Sequence, residues 1–249
     1  MAAAKLIPMI EARVRLAWES FYAELVKMGG DARPKQAADI FVTQPNGNDI
    51  EVTVKPVSFR VKEKASHSSA SIFVTVTGNI LFADNSTRDD LRANGFATRV
   101  GYFREIADKK LKHVYGVHYD FDDERPAHPI FHCQISSMAA YVDHINSAHH
   151  RQFDAIGDGD DLVKGLLGNV RIPTAHMDPF SVFLQVIGDH LVSEVNDDGR
   201  VAFVRAQEAM SGIRSETAQT CRLSLALEQR CFRSGHWYRD AKYPVEAAS

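Results

Sequence analysis

The chain has 249 residues, 45% hydrophobic and 24% charged, with a formal net charge of −3. That length buries a sizeable core in one large domain or two small ones, and the charge balance means that any grip on nucleic acid has to come from a local basic patch. Three cysteines, Cys133, Cys221 and Cys231, lack Cys-x-x-Cys spacing, which excludes a zinc ribbon, speaks against a disulfide scaffold and fits a reducing cytoplasm.

The first segment, "MAAAKLIPMIEARVRLAWESF", carries charges among its apolar positions, which does not fit a signal peptide. Residues 5–28 instead read as an amphipathic helix. Ile10, Val14, Ala17, Phe21 and Leu25 recur at spacings of three and four, Met28 continues the stripe, and Gly29-Gly30 ends it. Trp18 and Tyr22 widen that stripe, so it fits packing on a sheet and also a dimer face.

The period then changes to two. Residues 50–62, 70–83, 96–106, 111–122 and 129–137 read as five strands. Pro56 marks an edge or a bulge in the first, and Gly78 a bend in the second, whose Ile72, Val74, Val76, Ile80 and Phe82 share one face. Short turns between successive strands favour an antiparallel meander. After Met138 the helical period returns in "MAAYVDHINSAHHRQF". A glycine-rich connector follows, with a short helix near 161–167. Asp178-Pro179 opens a buried helix, with an aspartate cap and a proline in the first turn. A last helix runs from about 200 to 231. No run of about 18 apolar residues suggests a membrane span. The expected fold is a single α+β domain over 1–249: helix 5–28, a sheet within 40–137, and a helical part over 138–232. Helices from both ends of the chain cover one face of the sheet.

The chemistry concentrates in "YGVHYDFDDERPAHPIFHCQIS", Tyr115 to Ser136; seven of the eleven histidines fall between His113 and His150. Side chains alternate across a strand. Tyr115, Val117, Tyr119 and Phe121 therefore point one way, and His118, Asp120 and Asp122 the other. On the next strand Phe131, Cys133 and Ile135 oppose His132, Gln134 and Ser136. If the strands pair with their apolar sets in the core, both polar sets share a side, and the tip adds Asp123, Glu124 and His128. Imidazole with carboxylate is ligand chemistry for zinc, manganese or iron, the expected cofactor is a divalent ion (Mn, Zn or Mg), and such a cation activates water and polarises a phosphoryl or carbonyl oxygen. Without metal, the same pair serves as orienter and general base. The outer face of an antiparallel sheet is polar by default, so the pattern fits a plain solvated face equally.

Within this stretch, "HPIFHCQIS" slightly resembles the His-Pro-His-x-Gln strand of the histidine-triad nucleotidyl transferases. His132, Cys133 and Gln134 match its last three positions, while Phe131 replaces the proline and Ile130 the first histidine. The resemblance covers a handful of residues and implies His132 as a nucleophile towards phosphate.

Other features carry bland readings: His149-His150 beside helix-end carbonyls, Gly157–Asp161 as a solvated turn, His176 near the helix cap, and His190 as a core histidine. Basic residues cluster at Lys55, Arg60, Lys62 and Lys64, at Lys109, Lys110 and Lys112, and at Arg222, Arg230 and Arg233. Convergence of two clusters beside the hairpin would favour nucleic acid; scatter would not. Trp237 and Tyr238 near the chain end pack onto the domain or meet a partner. The leading expectation is a metal-assisted phosphoester hydrolase acting on a nucleotide or nucleic acid. His118, Asp120 and His132 hold the cation, Asp122 is a fourth ligand or the base, and Gln134 orients substrate. The alternative is a non-catalytic interaction subunit forming a homo-oligomer.

Overall fold

A computed structural model describes residues 2–62, 71–87, 91, 93–106, 109–121, 131–156, 172–173, 177–192, 197–211 and 213. The expectations placed on Asp122, Asp123, Glu124, His128, Gly157–Asp161, the helix near 161–167, His176, Lys64, Arg222, Arg230, Arg233, Trp237 and Tyr238 lie outside the described residues.

The elements are α1 (Ala2–Lys27), β1 (Asp31–Arg33), α2 (Ala37–Ile40), β2 (Phe41–Asn46), β3 (Asp49–Lys62), β4 (Ser71–Phe82), β5 (Ala93–Ile106), β6 (Lys110–Phe121), β7 (Phe131–Ile135), a 3₁₀ turn (Ala139–Tyr141), α3 (Val142–His149), β8 (Asp154–Ile156), β9 (Ile172–Pro173), α4 (Pro179–His190) and α5 (Asp197–Ser211). The fold is α+β. The strands form one sheet in the order β1-β3-β4-β5-β6-β7-β9, with β2 also on β3 and β8 on β6. Strands β3 to β7 are the expected five-strand antiparallel meander. The short strands extend it, and β8 joins β6 in parallel.

Two bulges set the faces. On β3 the register shifts between Val54 and Val57, so Ile50, Val52, Val54, Val57, Phe59 and Val61 all reach the core despite the change of parity. Pro56 lies in that bulge. β2 pairs with β3 as far as Val54 and β1 pairs from Ser58 onward, so the proline, which has no N–H to donate, falls in the gap between two partners. On β6 the register shifts between the pairs Tyr102–Tyr115 and Phe103–His113. This puts His113 on the same face as Gly116, His118 and Asp120.

The larger core joins α1, α4 and α5 to one face. Ile10, Val14, Ala17, Phe21 and Leu25 are buried as the stripe predicts. Trp18 is fully buried too, its Nε1–H donating to the Lys35 carbonyl at 2.6 Å, so the residue that suggested a dimer face belongs to the interior. Its ring meets Phe21 and Phe183 at 5.6 and 5.5 Å between centroids. Asp178 caps α4: Oδ1 accepts from the N–H groups of Phe180 and Ser181 at 2.8 and 3.0 Å, and Oδ2 accepts from the Ser181 hydroxyl at 3.1 Å.

The N- and C-terminal helices cover that one face as expected, and α3 lies over part of the other. Phe73, Phe103, Leu111, Met138, Val142, Ile145 and Phe153 form a second, smaller core under α3. Met138 lies over Gly101 and Gly116. A Cβ on Gly101 would stand 2.6 Å from the Met138 Cβ, so the glycine pair makes the seat on which this cover ends. The Met138 N–H donates to Nε2 of the buried His113 at 3.3 Å. His149, expected at its own helix's carbonyls, reaches the sheet instead. Its Nε2 donates to the Ser58 carbonyl at 3.2 Å, and its ring packs edgewise on Phe73 at 5.0 Å between centroids.

Two expected outcomes follow from these caps and covers. Asp178→Ala removes the acceptor of both amides and costs about 1 kcal/mol of stability; an unchanged denaturant midpoint would show that the α4 start does not depend on the carboxylate. Burial pushes the His149 imidazole down to about 4, with Asp31 opposing that shift. The unfolded chain therefore holds the extra proton between about pH 6.5 and pH 4, and stability falls as pH drops through that window. Denaturation series at pH 7 and pH 4.5 should show a smaller acid loss in His149→Gln than in the parent; equal losses would refute the assignment.

Candidate functional site

Pairing of β6 with β7 decides whether the hairpin residues form a group. The register sets His118 opposite Gln134 and Asp120 opposite His132, while Tyr119 faces Cys133 and Phe121 faces Phe131. Val117, Tyr119 and Phe121 pack against the larger core. The polar sets of both strands therefore share the other face, as the alternation predicts. Asp122 lies outside the described residues.

Extending the register inward adds neighbours that β6 and β7 alone do not reveal. Arg99 on β5 is paired with His118, and Thr77 on β4 with Arg99. One row thus runs Thr77, Arg99, His118, Gln134. The next runs Asn79, Ala97, Asp120, His132, with Pro173 of β9 beyond. Two rows nearer the sheet's middle lie Gly101 and Gly116, roofed by Met138. The polar block is thus a floor of strands bounded on one side by Met138.

The members differ in access. His118, Asp120 and Gln134 are half-buried, Arg99 is exposed, and His132 is only 2% exposed. As a nucleophile towards phosphate, His132 would need its surroundings to open. Burial depresses the His118 pKa, the Asp120 carboxylate works against that, and the Arg99 guanidinium adds to it. Its Nε2 is cut off from solvent and makes no hydrogen bond to a described residue. Oδ1 of Asp120 accepts from the Phe121 N–H at 3.1 Å. On the opposite face burial raises the tyrosines: Tyr119 is pushed up to about 12, and Tyr102, stacked on Tyr115 at 4.6 Å, also rises.

His118 and His132 are diagonal, not opposite, which by ordinary strand geometry separates them by roughly 7–8 Å. Among the described residues no three His, Cys, Asp or Glu side chains form a group able to hold a metal ion. His118, Asp120 and His132 meet as neighbouring pairs, and a cation would need a further donor. Among the described residues, Arg60 and Lys110 do not converge on this block. Arg60 bonds to Ser71 at the α3 end of the sheet. Lys110 lies eight residues before His118 on β6, which is about 26 Å along a strand. Among the described residues, the cation beside the histidines is Arg99, which pattern reading along β5 passed over.

Comparison with protein-family models, with curated proteins and with solved structures gave no match.

The two charges beside His118 are separable by experiment. Asp120→Asn should move the His118 titration to lower pH and Arg99→Gln should move it to higher pH, as followed by NMR of the imidazole protons. Shifts in the same direction, or none, would break the proposed rows.

Proposed function

We propose that the polar face of β5, β6 and β7 is a phosphoester-hydrolysing site for a nucleotide-sized substrate. The observation that supports it is the register: Asp120 opposite His132, and His118 between Arg99 and Gln134 on the same face. A neutral imidazole is a proton acceptor at neutral pH, and the depressed pKa of His118 favours that form. In this reading His118 takes a proton from the attacking water. The water oxygen forms a bond to phosphorus, the ester oxygen leaves with the bond pair, and the proton passes to it. Asp120 orients the bases on either side, with the buried His132 behind it, and Gln134 positions a substrate oxygen. A nucleotide suits the site better than nucleic acid, because Arg60 and Lys110 lie away from the histidines.

A divalent cation (Mn, Zn or Mg) enters this reading only if Asp122 completes a ligand set with His118, Asp120 and His132. Chelation separates the two forms. Loss of turnover in EDTA with recovery on adding one of these ions supports the metal-assisted form; unchanged turnover supports acid–base catalysis alone. The free, half-buried Cys133 is in keeping with a cytoplasmic setting. No described helix is long and apolar enough to cross a membrane.

The alternative, a non-catalytic interaction subunit assembling as a homo-oligomer, draws on the exposed Leu16, Val201 and Val204 of α1 and α5. A panel of aryl phosphates and nucleotides decides between them. Hydrolysis that falls about 10²- to 10⁴-fold in Asp120→Asn and in His132→Gln, with melting temperatures kept, is the expected result. Turnover unaffected by both substitutions would remove these residues from the chemistry. Absence of hydrolysis with a defined oligomer mass would favour the alternative.

A further inference from the structure

We infer that Arg99 is the anion anchor of this face and that the ligand it takes is a phosphate group seated over Ala97; the inference rests on reading the polar block as a phosphoester site. Arg99 is paired directly with His118 and, through it, shares a row with Gln134. Its side chain is exposed, and among the described residues it forms no hydrogen bond and no ion pair. Thr77, its neighbour on the other side, gives its hydroxyl to the Val54 carbonyl at 2.8 Å and leaves the guanidinium unshared.

The space around Arg99 is asymmetric. Towards the sheet's middle, Met138 fills the room above Gly101 and Gly116. In the other direction Ala97 stands between Asn79 and Asp120 in the adjacent row, with a single methyl group where its neighbours carry longer chains. Asn79 is held by donating its Nδ2–H to Glu51 Oε1 at 2.7 Å. A ligand therefore lies over Ala97, with the guanidinium on one side and the half-buried His118 and Asp120 on the next strand. A planar guanidinium grips two phosphate oxygens at once, and the carboxylate one row away is met by the uncharged end of the ligand, because like charges placed there would repel.

Titration calorimetry with inorganic phosphate tests the anchor without needing turnover. The parent should bind phosphate, Arg99→Gln should bind it at least about tenfold more weakly, and Arg99→Lys should fall between them. Asp120→Asn should retain or tighten phosphate binding while losing hydrolysis. Melting temperatures confirm that each variant is folded, and acetate at the same concentration checks that the site prefers phosphate to a carboxylate. No phosphate binding by the parent, or equal binding in Arg99→Gln, overturns the anchor. Phosphate binding that depends on Arg99, with no hydrolysis of any phosphoester, upholds the anchor and refutes the hydrolase reading. Hydrolysis that is normal in Arg99→Gln upholds the hydrolase reading and refutes the anchor.

Discussion

The structure depends on how one strand, β6, divides its side chains between two faces. A strand has a strict period of two, so a slip of one residue sends every side chain to the wrong side. Leu111 and His113 are odd-numbered and lie under α3, yet Gly116, His118 and Asp120 are even-numbered and lie on that same face. The bulge around Val114 reconciles them. Without it, either His113 would lose Phe103 and the Met138 amide, or His118 and Asp120 would be driven into the apolar core with Val117 and Tyr119 turned outward. Both outcomes bury charge or expose aromatic surface, and each costs more than the one unpaired residue of a bulge. The bulge thereby fixes the second core and the polar rows together.

Much of this was legible in the sequence because apolar periodicity reports directly on burial. The α1 stripe, the alternate apolar residues of β4 and the Asp-Pro start of α4 each follow from one local rule, and each local rule agrees with the fold. The elements that went unread are short. β1, β8 and β9 have two or three residues, too few for any period, and exist because a longer strand offers them a ladder. β2 was missed although Asn46-Gly47 signals its hairpin; Gly47 has a φ of +61°, the conformation for which glycine is preferred at such turns. The cover on the second face was hidden for a different reason. Met138 does not look special in the chain, and what makes it a lid is the coincidence of Gly101 and Gly116 on neighbouring strands.

The candidate site was half legible for the same reason. Which hairpin residues share a face follows from alternation within β6 and β7, and that part needed no coordinates. Which residues stand opposite one another needs the register, and register is a property of two strands. Arg99 reads along β5 as a single charge in "FATRVGYF", which as a lone charge on a strand's outer face signals nothing. Only the pairing of β5 with β6, measured past the bulge, brings it beside His118. Lys110 was a poor guide because closeness along the chain is not closeness in space: strand geometry sends Lys110 and His118 about 26 Å apart.

The two faces of β6 also treat titratable groups alike in one respect. Burial raises Tyr119 on one side and lowers His118 on the other, so both are held in their neutral forms at pH 7. The two polar rows carry Arg99 and Asp120, one on each row and on adjacent strands, in diagonal positions. Diagonal placement sets the guanidinium and the carboxylate one row and one strand apart. The block therefore has a positive corner and a negative corner with a neutral imidazole beside both. A ligand with one anionic group and one uncharged group can satisfy that pattern in a single orientation. A uniformly anionic polymer would place charge on Asp120 at every register, which is the electrostatic reason to look for a small phosphoester before a nucleic acid.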